Sequence, residues 1–153
     1  MSELAARQAE LVAALVGGAG PPPGFDAARI AATRHALLRK RAGEVARAWP
    51  ELAFALADGW HAAFADWAAG RAPQGSLRDG WDFARHLATD RRLPPEAAAE
   101  LAAREVLWHY NGHAAPRRRR LPAVRRIPAG FVVQVAGHVR PVRLPREAEP
   151  RIG

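Results

Sequence analysis

The side chains able to do chemistry in this sequence are six histidines and fifteen carboxylates, with no cysteine beside them. Thiolate nucleophiles, disulfides and cysteine metal sites are therefore excluded together. His109 and His113 stand four residues apart, a spacing that puts two imidazoles on one helix face, where they can share a metal ion. No glutamate separates them as in a hydrolytic zinc helix, and Gly112 lies between them near a helix end, so the spacing reads as a solvated pair. Asp79, Asp82 and His86 follow at steps of three and four, the geometry of an acid–base group. The same spacing equally describes a helix cap, an ion-pair partner and an exposed histidine. Glu105 shares a helical stripe with Leu101 and Trp108, which predicts a rim carboxylate paired with an arginine rather than a catalytic acid. No glycine-rich phosphate loop follows a strand, and no Gly-x-Ser-x-Gly elbow occurs. The expectation is a protein that is not an enzyme and binds neither metal nor cofactor.

Charge is the other chemical signal. The formal net charge is +8. Residues 1–115 hold thirteen basic and thirteen acidic side chains, so the excess sits in the tail, on arginines 117–120, 125, 126, 140, 143, 146 and 151 against Glu147 and Glu149. One lysine beside twenty-two arginines also fits a G+C-rich coding bias, so arginine richness by itself does not establish phosphate binding.

The elements that must position these groups are mostly helices. Apolar residues at three- and four-residue steps from Leu4 to Val16 predict a short amphipathic helix, stopped at Gly17-Gly18 and tethered by a strap with three consecutive prolines. The long stretch to Pro50 carries Leu37, Leu38, Ala42, Val45 and Trp49 on one face, with Asp26 as its cap. Such a helix spans roughly 30 Å, the width of a small domain. Gly43 within it predicts a close crossing by another helix. Pro50 turns the chain into a short helix that buries Leu52 and Leu56. Asp58 is placed to cap the next, which bears Trp60, Phe64 and Trp67 and closes at Gly70. Ser76 with Asp79 three residues on resembles a capping box, opening a helix with Leu77, Trp81, Phe83 and Leu87 buried. Pro94-Pro95-Glu96 opens the last helix, expected to reach Tyr110. After a loop over residues 112–130, the valine-rich run from Phe131 predicts a β-hairpin turning at Gly137, with Pro141 on an edge strand. Phe131, Val133 and Val135 are expected to need covering, by the helical core in the first instance or by another protein, and in either case an edge is expected to remain open for strand addition.

The fold class is therefore mainly α: a helical bundle over residues 21–115, preceded by the helix and strap of residues 1–20 and followed by a basic tail with a short C-terminal β-hairpin over residues 116–153. The N-terminus lacks the pattern of a signal peptide and no stretch is long enough to span a bilayer, which predicts a cytoplasmic protein with no membrane partner.

Arg41, Trp49-Pro50, Ser76-Leu77, Gly80, Phe83-Ala84, Leu93-Pro94, Glu100-Leu101 and Glu105 occur in an order that resembles the small helical family labelled as a DNA-binding domain. The resemblance covers about residues 29–110. It implies a partner protein to a multinuclear non-haem iron oxidase in the modification of ribosomally made peptides, presenting the substrate peptide while the oxidase supplies the metal ligands. The chain departs from the family pattern at Arg39-Lys40-Arg41, which replaces an aromatic-Arg step, and in the short tail that stands where a larger second domain often follows.

Two functional expectations follow. The first is an accessory module binding a precursor peptide, an iron oxidase or both, through Arg117, Arg118, Arg119, Arg120, Arg125, Arg126, Phe131, Val133, Val135, Arg140 and Arg143. The second is a nucleic-acid-binding protein that uses the arginines alone, against which the interleaving of Leu121, Pro122, Ala123 and Val124, rather than stacking aromatics, counts.

Overall fold

A computed structural model of the chain describes residues 3–144. Arg146, Glu147, Glu149 and Arg151, four of the charges counted in the tail, lie outside the described residues. The chain is mainly helical, in the order α1 (Glu3–Val16), α2 (Ala27–Ala48), α3 (Pro50–Leu56), α4 (Trp60–Ala68), α5 (Ser76–Thr89) and α6 (Pro95–Leu107). Short strands follow: β1 (Trp108–His109), β2 (Arg117–Arg118), β3 (Ala123–Ile127), β4 (Gly130–Val135) and β5 (His138–Arg143).

α2 starts where its cap requires. The Asp26 carboxylate accepts from the N–H groups of Ala28 at 2.8 Å and Arg29 at 3.3 Å, satisfying donors that have no partner within the helix. The C-terminal half of α2 enters the aromatic core through Ala42, Val45 and the Trp49 that ends it; Ile30 near its start is buried as well, whereas Leu37, expected on the same stripe, is 41% exposed. α1 packs on α2 by its last turn alone, with Ala14 buried and Leu4 and Val12 exposed. Arg34 of α2 ties that end down, donating to the Ala14 and Ala19 carbonyls.

The corner at Trp49-Pro50 organises the centre. The Trp49 indole is fully buried, donates to Leu77 O at 3.0 Å and meets Trp81 edge-on, with ring centroids 5.9 Å apart. Across the corner, Arg104 of α6 lies over the Trp49 ring, donates to Ala48 O and pairs with Glu100 at 3.2 Å, while Glu100 accepts from Leu52 N–H at 2.9 Å. A Glu–Arg couple on one helix thus closes the end of α2 and the start of α3 together. The aromatic core continues through Trp60, Phe64 and Phe83, with Trp67 and Trp108 partly buried at its margin.

Several local expectations are corrected. The close crossing lies at Gly80, not Gly43: a Cβ on Gly80 would fall on the Trp49 indole, 2.7 Å from its Cγ, whereas the space beside Gly43 is open. Asp58 does not cap α4, because a 3-10 turn at Ala57–Gly59 runs straight into that helix, with Gly59 in the capping position and helical dihedrals. Ser76 is the first residue of α5 rather than its cap, and Asp79 turns inward instead of completing a box. α6 stops at Leu107, and Trp108 is already extended.

The expected hairpin supplies two strands, β4 and β5, of a three-stranded antiparallel sheet of order β3-β4-β5. Its turn at Ala136-Gly137 has φ of +50° and +82°, the paired left-handed conformation that two-residue hairpins favour. The missed strand is β3, whose arginines disguise its alternation; a separate small ladder joins β1 to β2. Phe131, Val133 and Val135 are not covered by the helical core, the first of the two coverings open to them. Val132 and Gln134 point inward, Val132 against Ala102 and Val106 of α6, and the period of two leaves Phe131, Val133 and Val135 on the outer face. Gln134 is accommodated because its amide donates to Leu121 O at 3.0 Å and accepts from Gly137 N–H at 2.6 Å.

Candidate functional site

The outer face of the sheet is built by register. Val124 stands opposite Val133, Arg126 opposite Phe131, Phe131 opposite Val142, Val133 opposite Arg140 and Val135 opposite His138. Val124, Val135 and Val142 are exposed and Phe131 and Val133 half-buried, so an apolar stripe runs across all three strands between Arg126 and Arg140. No other element of the described residues covers it.

The edges of the same sheet are interrupted. A two-residue turn makes Val135 and His138 a hydrogen-bonded pair, so alternation points the backbone groups of Val139, Pro141 and Arg143 toward the free edge of β5. Pro141 has no N–H to offer there, and Arg140 Nη1 donates to Val139 O at 3.2 Å. On β3 the outward carbonyl of Val124 is taken by Arg125 Nη1 at 3.0 Å. Strand addition, the expected mode of peptide capture, therefore finds its donors and acceptors interrupted on both sides, a common protection of exposed edges. The face is open, and each edge is interrupted at single positions rather than closed along its length.

The tail arginines divide into two groups. Arg119 is structural, its Nε donating to Glu105 O at 3.0 Å and Trp108 O at 3.3 Å. Arg125 is structural as well, reaching Glu105 Oε2 at 3.2 Å from the inner face. Arg117, Arg118, Arg120, Arg126, Arg140 and Arg143 are exposed. Among the described residues none of these six has a carboxylate partner, and Arg118 lies 6.0 Å over the Trp108 ring.

Glu105 meets its expectation of an arginine partner twice over. Arg85 grips its Oε1 at 2.7 and 2.9 Å from α5 while Arg125 holds Oε2 from β3. Burial alone would push this carboxyl up, but the Arg85 hydrogen bonds and charge, with Arg125 behind them, hold it below the usual range.

Beside α5 lies a second region, a solvent-open cleft of about 650 Å³. Its floor is the Arg41–Asp79 pair, bonded at 2.8 and 2.9 Å, with Asp79 nearly inaccessible to solvent. Asp79 also accepts from Gln74 N–H at 3.0 Å, and Arg41 Nη1 donates to Arg71 O at 2.7 Å. The expected group of Asp79, Asp82 and His86 does line this cleft, with each member engaged separately. Asp82 accepts from the Tyr110 hydroxyl at 2.8 Å, and His86 faces Asp90 at 3.6 Å. Burial pushes the Asp82 carboxyl up, partly offset by the Tyr110 bond and the Arg85 and Arg78 charges. Burial raises Tyr110 too, and its bond to Asp82 adds to the shift.

His109 and His113 do not share a helix face: His109 is on β1 and His113 in the following loop. No group of three or more His, Asp or Glu side chains among the described residues is placed to hold a metal ion. No helix among them is long and apolar enough to cross a membrane. Sequence reasoning missed the cleft because Arg41 and Asp79 lie thirty-eight residues apart and Asp79 was assigned to a local cap.

The sequence is 40% identical over 123 residues to a protein of Streptomyces avermitilis named UPF0276 protein, a match that takes in 80% of this chain but only 25% of the relative. This chain therefore corresponds to about a quarter of that relative's length. No solved structure matches. The sequence model of the SCO6045-like, C-terminal domain matches residues 5–89, from α1 to the end of α5, and the chain belongs to that family.

Proposed function

We propose that this protein is a non-catalytic accessory module that docks on a larger protein and holds a peptide for it, the partner being a multinuclear non-haem iron oxidase that modifies a ribosomally made precursor. The observation that carries the reading is the uncovered stripe of Val124, Phe131, Val133, Val135 and Val142, bounded by arginines on a sheet whose edges are interrupted. An apolar face with a cationic rim suits a polypeptide surface carrying acidic groups. The relative supports the same reading in a different way. There the matching segment is a quarter of a chain, covalently joined to a much larger remainder.

One observation favours nucleic acid instead: Arg117, Arg118 and Arg120 are exposed, close in sequence and without carboxylate partners among the described residues. Binding through these alone would fall log-linearly with salt and ignore the valines. The two readings separate on the binding of a ribosomally made precursor peptide, of a multinuclear non-haem iron oxidase, and of random duplex DNA. Each is titrated against the parent, Val133→Asp, and a variant with Arg117, Arg118 and Arg120 changed to serine. Val133→Asp places an unpaired charge in the stripe and is expected to weaken oxidase or peptide binding about a hundredfold without moving the melting temperature. Submicromolar duplex binding at physiological salt, indifferent to Val133→Asp, with neither peptide nor oxidase bound, would replace the accessory reading by the nucleic-acid one.

A further inference from the structure

The charges lining the cleft beside α5 are not balanced. Asp79 is matched by Arg41 and Arg85 pairs with Glu105, while Asp82, bonded to the neutral Tyr110 hydroxyl, sets a single carboxylate against two further arginines. Arg71 and Arg78 remain. Among the described residues neither has a carboxylate within ion-pair distance, yet both are fixed in place. The Arg71 guanidinium lies over the Trp67 ring, 5.3 Å from its centroid. Arg78 is anchored by neutral acceptors, Tyr110 Oη at 3.4 Å and His113 O at 2.8 Å, and lies over the Tyr110 ring at 5.7 Å. Stacking and carbonyl contacts hold a guanidinium without neutralising it, so two pre-positioned forks retain donors for an oxyanion.

We propose that this cleft is a binding site for the carboxylate of an acidic peptide side chain, taken between Arg71 and Arg78. The volume of about 650 Å³ falls within the range of ligand sites, and the opening to solvent lets a chain pass through rather than end inside. Trp67 and Ala72 give an apolar wall for the methylene stem of a glutamate. Inorganic phosphate offers the same oxyanion chemistry but has no methylene stem for that wall. The site is separate from the sheet face; only the choice of a peptide as the source of the carboxylate rests on the accessory-module reading.

The test is calorimetric titration of the full chain at physiological salt. The probes are an acetylated, amidated Ala-Glu-Glu-Glu-Ala peptide, its glutamine counterpart, and inorganic phosphate. The acidic peptide is expected to bind, the glutamine peptide at least about tenfold more weakly, and Arg71→Gln and Arg78→Gln each to weaken the acidic peptide about tenfold. Arg47→Gln, at an exposed arginine of α2 that does not line the cleft, is expected to leave this binding unchanged, which separates the site from a general loss of positive charge. Arg71 is exposed and makes no ion pair among the described residues, so its variant remains informative even if Arg78→Gln lowers stability. An acidic peptide that gives no heat at millimolar concentration, or that binds equally well after both substitutions, overturns the proposal. So does phosphate binding in the absence of peptide binding. Loss of peptide binding in Val133→Asp alone would assign the peptide to the sheet and empty the cleft of this role.

Discussion

Asp79 and Arg41 form the most consequential pair of side chains in the protein. Both carboxylate oxygens and three guanidinium nitrogens are engaged, at a position where the carboxylate is 2% exposed. Removing one partner strands a charge away from water, a far larger effect than the modest net worth of the intact pair. Asp79→Ala is therefore expected to cost about 3–5 kcal/mol in chemical denaturation. Replacing both residues by apolar ones of similar volume should recover much of that loss, and a cost below about 1 kcal/mol for the single variant would show that the pair is solvated. Side chains acting on their own neighbours were legible in the sequence. Asp26 caps because its partners are two and three residues away; Glu105 was legible only in kind, since a carboxylate in an apolar stripe requires an arginine but its two partners lie twenty residues off on either side. Asp79 was not legible, since nothing local distinguishes a capping carboxylate from one that reaches across to another helix.

Between elements, glycine gives the sharpest contrast. Gly43 and Gly80 both lie inside helices, and the helical pattern around them is similar. Only at Gly80 does another helix come within touching distance, through the Trp49 ring. Gly80→Ala is expected to destabilise by about 3 kcal/mol or more, because the indole is buried on all sides and cannot yield. Gly43→Ala is expected to stabilise by about 0.5–1 kcal/mol, the helix-propensity gain at an open position. Thermal melts of the two variants shifting in the same direction would refute the packing of α5 on α2. The same scale explains why β3 escaped notice. Two of its five residues are arginines, and one, Arg125, faces inward because Glu105 of α6 waits there, a pairing across twenty residues that periodicity does not report. Proline and glycine punctuation, by contrast, gave the Trp49-Pro50 corner, the start of α6 at Pro95 and the turn at Gly137 directly.

Over the whole molecule, Glu105 is the joint between helices and sheet, gripped from α5 on one side and from β3 on the other. Its carboxyl is held below the ordinary range, so the native state gains from its ionisation. That gain is fully present above the unfolded glutamate value of about 4.3 and is lost as the pH falls through the lower native one. Glu105→Gln is expected to lose about 1–2 kcal/mol at pH 7, a figure reduced for the partial exposure of both arginines, with the gap from the parent closing below about pH 4. Denaturation curves across that interval check it, and a gap independent of pH would mean that packing, not charge, makes the joint. Overall, the helical character and the short C-terminal strands could be read in advance, whereas the inward face of the sheet could not, because a shift of one residue exchanges its two faces.

The interrupted edges of that sheet also limit open-ended assembly. A strand with open donors and acceptors accepts a second strand, which presents a fresh edge to a third, and growth has no natural end. With Pro141 and the Arg140 and Arg125 contacts interrupting both borders, that succession is broken, and the sheet itself offers its broad side, formed by Phe131, Val133 and Val135. Contact through a broad side consumes it.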